Sequence, residues 1–464
     1  MRVLRLHYLM VFTLIFVFII GRSTFLLNFT LEQQLTLGLL LLAVYLWVAA
    51  PIPTGSTSIL LLACMLLLDL VDSVEEAMVG FLSPALYFIL MLSLISHSLV
   101  KVGVDRVIVR FLLKISKGGP KIIIASLPIL ILFLPIILPS AIARFKMLLP
   151  LVTKLNHYYG YPEKSLFEKY CLYVIGMLNQ NATMIIFTGG GFPILASQLL
   201  RDYNVANIGW LDWILQIGPP LWIGSLIVVL FVWQFLKKTL PDDEWFNDRK
   251  KLPLVHDKKR EETMPVLFWI VISSFLVMIV TWIVTDQRYI PLLLPPMILV
   301  VLYSIPKINL INNKVIRNYD WENFLLLGSS FSLGMLIAEN GTASVLAKEL
   351  ISVVSPDGSI VVKIIAIAIF ILLLRFLFVV PSSAMIVIFP IVMSYSELIG
   401  IPLEKLAFLV IMIIGGVMVL PIHSPTAFLA YETGILKKKE QYTIGIFSSL
   451  VIMITAIFAA IYYW

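Results

Sequence analysis

The chain has 464 residues, of which 60% are hydrophobic and 13% charged, and it carries a net charge of +7. Soluble domains have about 45–50% apolar and about 25% charged residues, so the composition excludes an ordinary soluble enzyme, a disordered chain and a nucleic-acid-binding module. It describes an all-α polytopic membrane protein, whose basic excess is either loop charge on the cytoplasmic side or charge placed inside the membrane.

A bilayer-crossing helix needs about 20 mostly apolar residues. The first candidate, 9–28, follows Arg2 and Arg5 and so mimics a secretion signal. Gly21-Arg22-Ser23-Thr24 is a poor cleavage site, and the stretch is expected to remain as an uncleaved span. Further spans are expected over 36–51, 55–71, 82–100, 170–202, 213–236, 265–285, 290–305, 323–340, 406–436 and 442–463. Two longer apolar stretches, 122–153 and 360–396, each carry a Pro/Ser break near the middle. The breaks read Leu138-Pro139-Ser140-Ala141 and Val380-Pro381-Ser382-Ser383-Ala384. Each stretch is expected to be a re-entrant hairpin, because a broken helix is tolerated at membrane depth only where protein or a water-filled cavity receives the freed backbone groups. The expected architecture is about 11 transmembrane helices and two hairpins. Cys64 and Cys171 lie in apolar runs without disulfide or metal-ligand spacing, and read as packing residues.

With the N-terminus cytoplasmic, the inner segments hold most of the Lys and Arg. They include the basic residues from Lys101 to Lys121, from Lys154 to Lys169, from Lys237 to Arg260 and from Lys307 to Arg317, and Lys437, Lys438 and Lys439. The outer side holds Arg22, Arg201, Arg288, Lys348 and Lys405, which obeys the positive-inside rule and leaves Trp464 outside. A multi-pass protein of the cell membrane is expected. The polar stretch 237–263 reads as a cytoplasmic linker. It divides a first half, 1–236, with spans 1–6 and an inner hairpin, from a second half, 264–464, with spans 7–11 and an outer hairpin. The two halves repeat one order of elements with opposite hairpin openings. An inverted repeat with broken helices is the pattern of secondary transporters, whose site lies at the midplane between the repeats.

The span 170–202 contains Asn179-Gln180-Asn181-Ala182-Thr183 and then Thr188-Gly189-Gly190-Gly191. Amides and hydroxyls at that depth are costly unless satisfied. Glycines permit an unwound backbone, and the following helix N-terminus can hold an anion. The alternative is a packing kink lined by small residues. The span 406–436 is interrupted at Leu420-Pro421-Ile422-His423-Ser424-Pro425-Thr426, where two prolines four residues apart stop a continuous helix. His423, Ser424 and Thr426 are expected to face whatever the break lines. Four basic residues stay outside the loops: Arg144, Lys146, Lys363 and Arg375. Lys363 is expected to snorkel. Arg144, Lys146 and Arg375 flank the hairpin breaks, and each needs a partner, because a cation costs about 2.5–3.5 kcal/mol at a helix centre on insertion scales. Carboxylates in the spans are confined to Asp69, Asp202, Glu339 and Glu432, all near ends. The partner is therefore either an anionic substrate or the carbonyls of the hairpin tip. The remaining histidines form no cluster, and no metal or nucleotide motif occurs. An enzyme is not expected, and neither is a catalytic residue or a bound metal.

These segments together resemble the divalent anion/sodium symporter family over nearly the whole chain. Residues 37–53, ending in Pro51-Ile52-Pro53, look like its early span. Residues 74–105 resemble its acidic "EEA" and "SPA" segment, and Asp320-Trp321 with 325–341 looks like the repeat partner. The most specific match is 420–434, from Leu420-Pro421 through Ser424-Pro425 to Tyr431 and Gly434. The resemblance implies a homodimer of inverted repeats, elevator-type alternating access, and transport of dicarboxylates, tricarboxylates or sulfate. Together with the residue readings above, it leads to expected substrate contacts at Ser140, Arg144, Asn181, Thr183, Ser382, Ser383, His423, Ser424 and Thr426, and expected ion contacts at Ser140, Gly189 and Ser383. No cofactor is implied beyond Na+ or H+ as a coupling ion, and the expected partners are a small anion, the lipid bilayer and a second copy, with no nucleic acid. The family carries Ser-Asn-Thr at each hairpin tip. Here the first tip reads Ser140-Ala141-Ile142-Ala143-Arg144 and the second Ser382-Ser383-Ala384. Arg144, with Lys146, would then supply the positive charge that bound sodium supplies elsewhere, favouring exchange or proton coupling. The other readings are a sodium/proton antiporter of the same superfamily and a non-transporting accessory protein.

Overall fold

The computed structural model describes residues 28–49, 52–117, 119–238, 265–285, 289–346, 358–376, 378, 381–420 and 423–464. The expected first span and nearly all of the linker 237–263 lie outside the described residues. Among the described residues the chain is helical and contains no strand.

The helices α1 (Leu31–Ala49), α2 (Thr54–Leu67), α3 (Pro84–Lys101) and the amphipathic α4 (Val104–Ser116) open the chain. The first Pro/Ser stretch follows as α5 (Pro120–Phe133), a break over 137–140, and α6 (Ala141–Tyr158). The first interrupted helix is α7 (Leu166–Tyr173), one π turn (Val174–Leu178), α8 (Asn179–Ile185), an unwound stretch at 186–190, and α9 (Gly191–Asp202). The long α10 (Trp210–Lys238) ends this half. The second half runs through α11 (Pro265–Val284), α12 (Leu294–Ser304) and α13 (Trp321–Glu339). It continues as the second Pro/Ser pair α14 (Ile360–Arg375) and α15 (Pro381–Ile399), then α16 (Leu403–Gly416), a break, α17 (Pro425–Glu432) and α18 (Lys438–Tyr462). The order long helix, broken pair, interrupted helix, long helix thus occurs twice.

Burial follows from composition. Among the described residues, α3, α10, α11, α13 and α18 are long and apolar enough to cross a bilayer. Their outer faces are apolar too: Trp269 and Val277 on α11, Leu230 on α10 and Phe458 on α18 are all exposed. Such faces are stable in lipid, where no polar surface is needed. The interrupted helices are instead buried on every side, over 165–189 and over 406–419. A helix apolar all round belongs at the centre of its bundle, and there the two broken helices sit. Two end alike: Ile186 leaves α8 and Val417 leaves α16 with extended backbone.

Long helices service the two breaks. At the first, α10 donates from Trp213 Nε1 to Met184 O (2.8 Å) and from Trp210 Nε1 to Thr188 Oγ1 (3.3 Å). At the second, Ser449 Oγ on α18 accepts the N–H of Met418 (3.0 Å), and Gln441 Nε2 reaches Ala427 O (3.0 Å). The bonds to Met184 O and from the Met418 N–H take up main-chain groups at the ends of α8 and α16, where the helices stop. α10 and α18 also pack on each other.

Candidate functional site

Arg144 lies on the first turn of α6, just after the first break, and is wholly buried. Its helix begins at Ser140, whose hydroxyl caps the N–H of Ala143 (3.2 Å) and which is half-buried at the break. The guanidinium turns inward to the break and to α8. Nε donates to Asn179 Oδ1 (2.7 Å), Nη1 to Leu138 O (2.5 Å), and Nη2 to Thr183 Oγ1 (2.6 Å) and Asn179 O (3.4 Å). Lys146, two residues on, is exposed and does not join it.

Arg375 ends α14, just before the second break, and is also wholly buried. Its Nε donates to Ile414 O (3.0 Å) on α16, Nη1 to Phe378 O, and Nη2 to His423 O (3.0 Å). Both arginines therefore join a hairpin break to the interrupted helix of the same half. Every acceptor is neutral, so each guanidinium keeps its full charge.

The two halves meet between the interrupted helices. Ser424 Oγ donates to Gln180 Oε1 (3.2 Å) and pairs with Thr426 Oγ1 (3.1 Å). Thr426 Oγ1 in turn donates to Gly176 O (2.6 Å). Gly176 sits in the π turn, and a π turn shifts the ladder and frees a carbonyl for such a bond. It must be glycine, because a Cβ there would lie 2.6 Å from Ala430 Cβ. Three separate polar links result, Arg144 to Asn179, Gln180 to Ser424 and Arg375 to His423 O, carried on residues that adjoin one another along the chain.

Two buried polar atoms on or next to the residues of these links have no hydrogen-bond partner among the described residues, Asn181 Oδ1 and His423 Nε2. His423 Nδ1 accepts a long bond from Leu420 N (3.5 Å) and the ring lies edge-on to Phe376. In that tautomer the ring proton is on Nε2, a free donor. Most buried polar atoms in native proteins are paired; these two are among thirteen buried side-chain atoms that lack a partner among the described residues.

The structure thus pairs Arg144 with Thr183 and Ser424 with Thr426, and ties His423 to Arg375 through its carbonyl, while Asn181 is buried on α8. Ser382 and Ser383 begin α15 and are buried, but Ser383 pairs with Ser330 Oγ on α13 (3.1 Å). Gly189 lies in the first break with no room for a side chain, since a Cβ would come within 2.5 Å of Thr183 O. Asn179 and Gln180 were signalled only as polar neighbours of Asn181, yet they carry two of the three links.

An open cavity of about 350 Å³ lies elsewhere, between α3, α9 and residues 291–293, with Ala85, Phe88, Gln198 and Arg201 in its walls. It is separate from these buried links. On another face, Lys169 of α7 and Glu440 of α18 form a buried ion pair at 2.7 Å.

Comparison with known proteins fits this geometry. Residues 1–464 match the family described as the sodium:sulfate symporter transmembrane region. A protein of Haemophilus influenzae described as an uncharacterized transporter is 23% identical over 457 residues, 93% of each chain. Another, uncharacterized transporter MJ0672 of Methanocaldococcus jannaschii, is 25% identical over 253 residues. That match spans 53% of this chain and about half, 54%, of the relative. The crystal structure of the Alcanivorax borkumensis YdaH transporter, reported to have an unusual topology, superposes with a TM-score of 0.53 at 12% identity. It covers 82% of this chain and 84% of that one, a likeness of fold alone.

Proposed function

The chain belongs to the sodium:sulfate symporter family of membrane transporters, and from that premise we propose that it is a secondary active transporter of a small anion. The substrate class is a dicarboxylate, a tricarboxylate or sulfate. The observation that carries the reading is the burial of two guanidiniums, Arg144 and Arg375, at the breaks of the two interrupted helices, each with only neutral acceptors among the described residues. An anion entering there meets a positive field strengthened by a low-dielectric surround. It meets His423 Nε2 as a donor, the Nδ2 amino group of Asn181, and the N-termini of the half-helices α9 and α17. Ser140 and Ser382, at the two hairpin breaks, close the site from either side. Thr183, Ser424 and Thr426 hold its frame, and Ser383 and Gly189 shape the tips.

Transport proceeds by elevator-type alternating access in this reading, with the hairpins and interrupted helices moving together against the remaining helices. The protein lies in the cell membrane as a homodimer, N-terminus cytoplasmic and C-terminus outside. Repeat architecture and basic-residue asymmetry support this arrangement. The test is uptake by purified protein in liposomes, using radiolabelled sulfate, succinate and citrate in turn. We expect saturable accumulation of at least one, lost by at least tenfold in His423→Ala and in Asn181→Ala. A folded protein that moves none of the three, or variants as active as the parent, would overturn it.

A further inference from the structure

The helix α4 carries apolar side chains on two sides. Val104, Ile108, Leu112 and Ser116, four residues apart, form the strip it buries against α3, α5 and α6. Both ends are tied down. Lys101 Nζ donates to Asn309 O (3.1 Å) and Leu310 O (3.2 Å), and Tyr159 Oη donates to Ser116 O (2.6 Å). Gly103 and Gly119, at φ of 98° and 99°, set α4 off from α3 and α5 as a separate rod. The side left uncovered is not an ordinary solvated face. Arg110, Lys114 and Lys117 are exposed at i, i+4 and i+7, and so share one side of the helix. Val107 and Phe111, also four apart, are 49% and 52% exposed. At about 100° of turn per residue, this apolar pair lies between the basic set and the buried strip. Arg110, Lys114 and Lys117 form no ion pair among the described residues. Asp105 is the one carboxylate on α4.

We propose that this face of α4 is a binding site for the headgroup of an anionic phospholipid. The proposal goes beyond the transport reading and holds whichever anion is carried. α4 joins the end of α3, long and apolar enough to cross a bilayer, to the start of the first hairpin, and so lies at a membrane surface. The three sectors around the helix then match three surroundings. The buried strip meets protein, Val107 and Phe111 meet the acyl boundary, and the cations meet phosphate. Basic residues beside an aromatic anchor hold a helix in the interfacial plane. Charge selects the partner. A zwitterionic headgroup cancels its own phosphate, whereas an anionic one leaves net charge for three cations spread over about 10 Å of helix. The positive-inside rule counts basic residues in a loop. It explains neither their alignment on one face nor the exposed Phe111 beside them.

The experiment titrates the full-length purified protein in detergent with phosphatidylglycerol, or with phosphatidylcholine of the same acyl chains, and reads bound lipid by native mass spectrometry. The parent is expected to bind phosphatidylglycerol roughly tenfold more tightly, since each basic residue near an anionic surface adds severalfold. The combined variant Arg110→Gln, Lys114→Gln, Lys117→Gln is expected to lose that preference and keep its phosphatidylcholine binding. Phe111→Ser keeps every charge and is expected to weaken phosphatidylglycerol severalfold, which a site for a free phosphate ion would not show. Lys437→Gln, Lys438→Gln, Lys439→Gln removes the same charge from the exposed start of α18. Consecutive residues there face different ways, and the expected loss is much smaller. All these positions are exposed, so the variants are expected to stay folded and monodisperse. A parent without preference overturns the inference, as does a preference that survives the α4 triple change. Phe111→Ser binding like the parent, or an equal loss in the α18 variant, overturns it too.

Discussion

Asn179 meets a buried cation with two atoms at once: its side-chain oxygen accepts from Arg144 Nε and its main-chain oxygen from Nη2. Its own amide donates to Ala141 O (2.9 Å), so the residue also fixes the first turn of α6. Asn179→Leu keeps the branching of the side chain and strands both Arg144 Nε and that carbonyl. Leaving a buried partner unsatisfied costs about 1–3 kcal/mol, more for a charge. We expect a lower thermal-unfolding midpoint for Asn179→Leu, beside Lys146→Ala, an exposed change that stays within about 0.5 kcal/mol of the parent. An unchanged midpoint for Asn179→Leu would mean that Arg144 finds another acceptor. The contrast also shows what the sequence holds at this scale. Arg144 is legible as a lone cation beside a Pro/Ser break. Its acceptors are not, because three of the four lie 35 or 39 residues on, and three are main-chain or amide oxygens that no charge pattern marks. Lys146 is two residues from Arg144, and on a helix such neighbours face apart. Lys169 reads as an inner-loop cation, yet its buried partner Glu440 is 271 residues away.

At the scale of elements, a broken helix survives because its neighbours complete it. The second break lies against α18, where Gly445 allows the closest approach: a Cβ there would stand 2.6 Å from Met418 O and 2.8 Å from Val419 O. Both are backbone atoms that cannot rotate away. Gly445→Val therefore forces α18 off the break and pulls Ser449 from the Met418 N–H. The expected result is a marked loss of thermal stability and of any transport, larger than for Gly218→Ala on α10, where a Cβ meets no atom closer than 3.6 Å. Equal effects of the two substitutions would show that the break does not depend on α18. The breaks themselves were legible, since proline and glycine interrupt helices by local chemistry alone. That α10 and α18 would complete them was not, because an indole N–H or a hydroxyl facing a main-chain group leaves no pattern in an apolar run.

For the whole molecule, the elevator reading requires that α9 slide against α3. They touch where Gln198 Oε1 accepts from Ala85 N (3.0 Å) and Ser83 Oγ (2.9 Å), beside the open cavity. With Cys64 and Cys171 replaced by alanine, the pair Ala85→Cys and Gln198→Cys would join these helices on oxidation. We expect oxidation to stop anion movement in liposomes and a reductant to restore it. Uninterrupted transport across a formed disulfide would exclude sliding at this contact. A pair of fixed guanidiniums also bears on the energetics of the cycle itself. A moving body that holds a divalent anion between two such groups is close to electroneutral when full, and doubly positive when empty. The empty form pays the larger toll in crossing a low-dielectric layer, so the return stroke is favoured only with a second anion aboard. Under the proposed transporter reading, such a carrier would swap one anion for another and leave the total on each side unchanged.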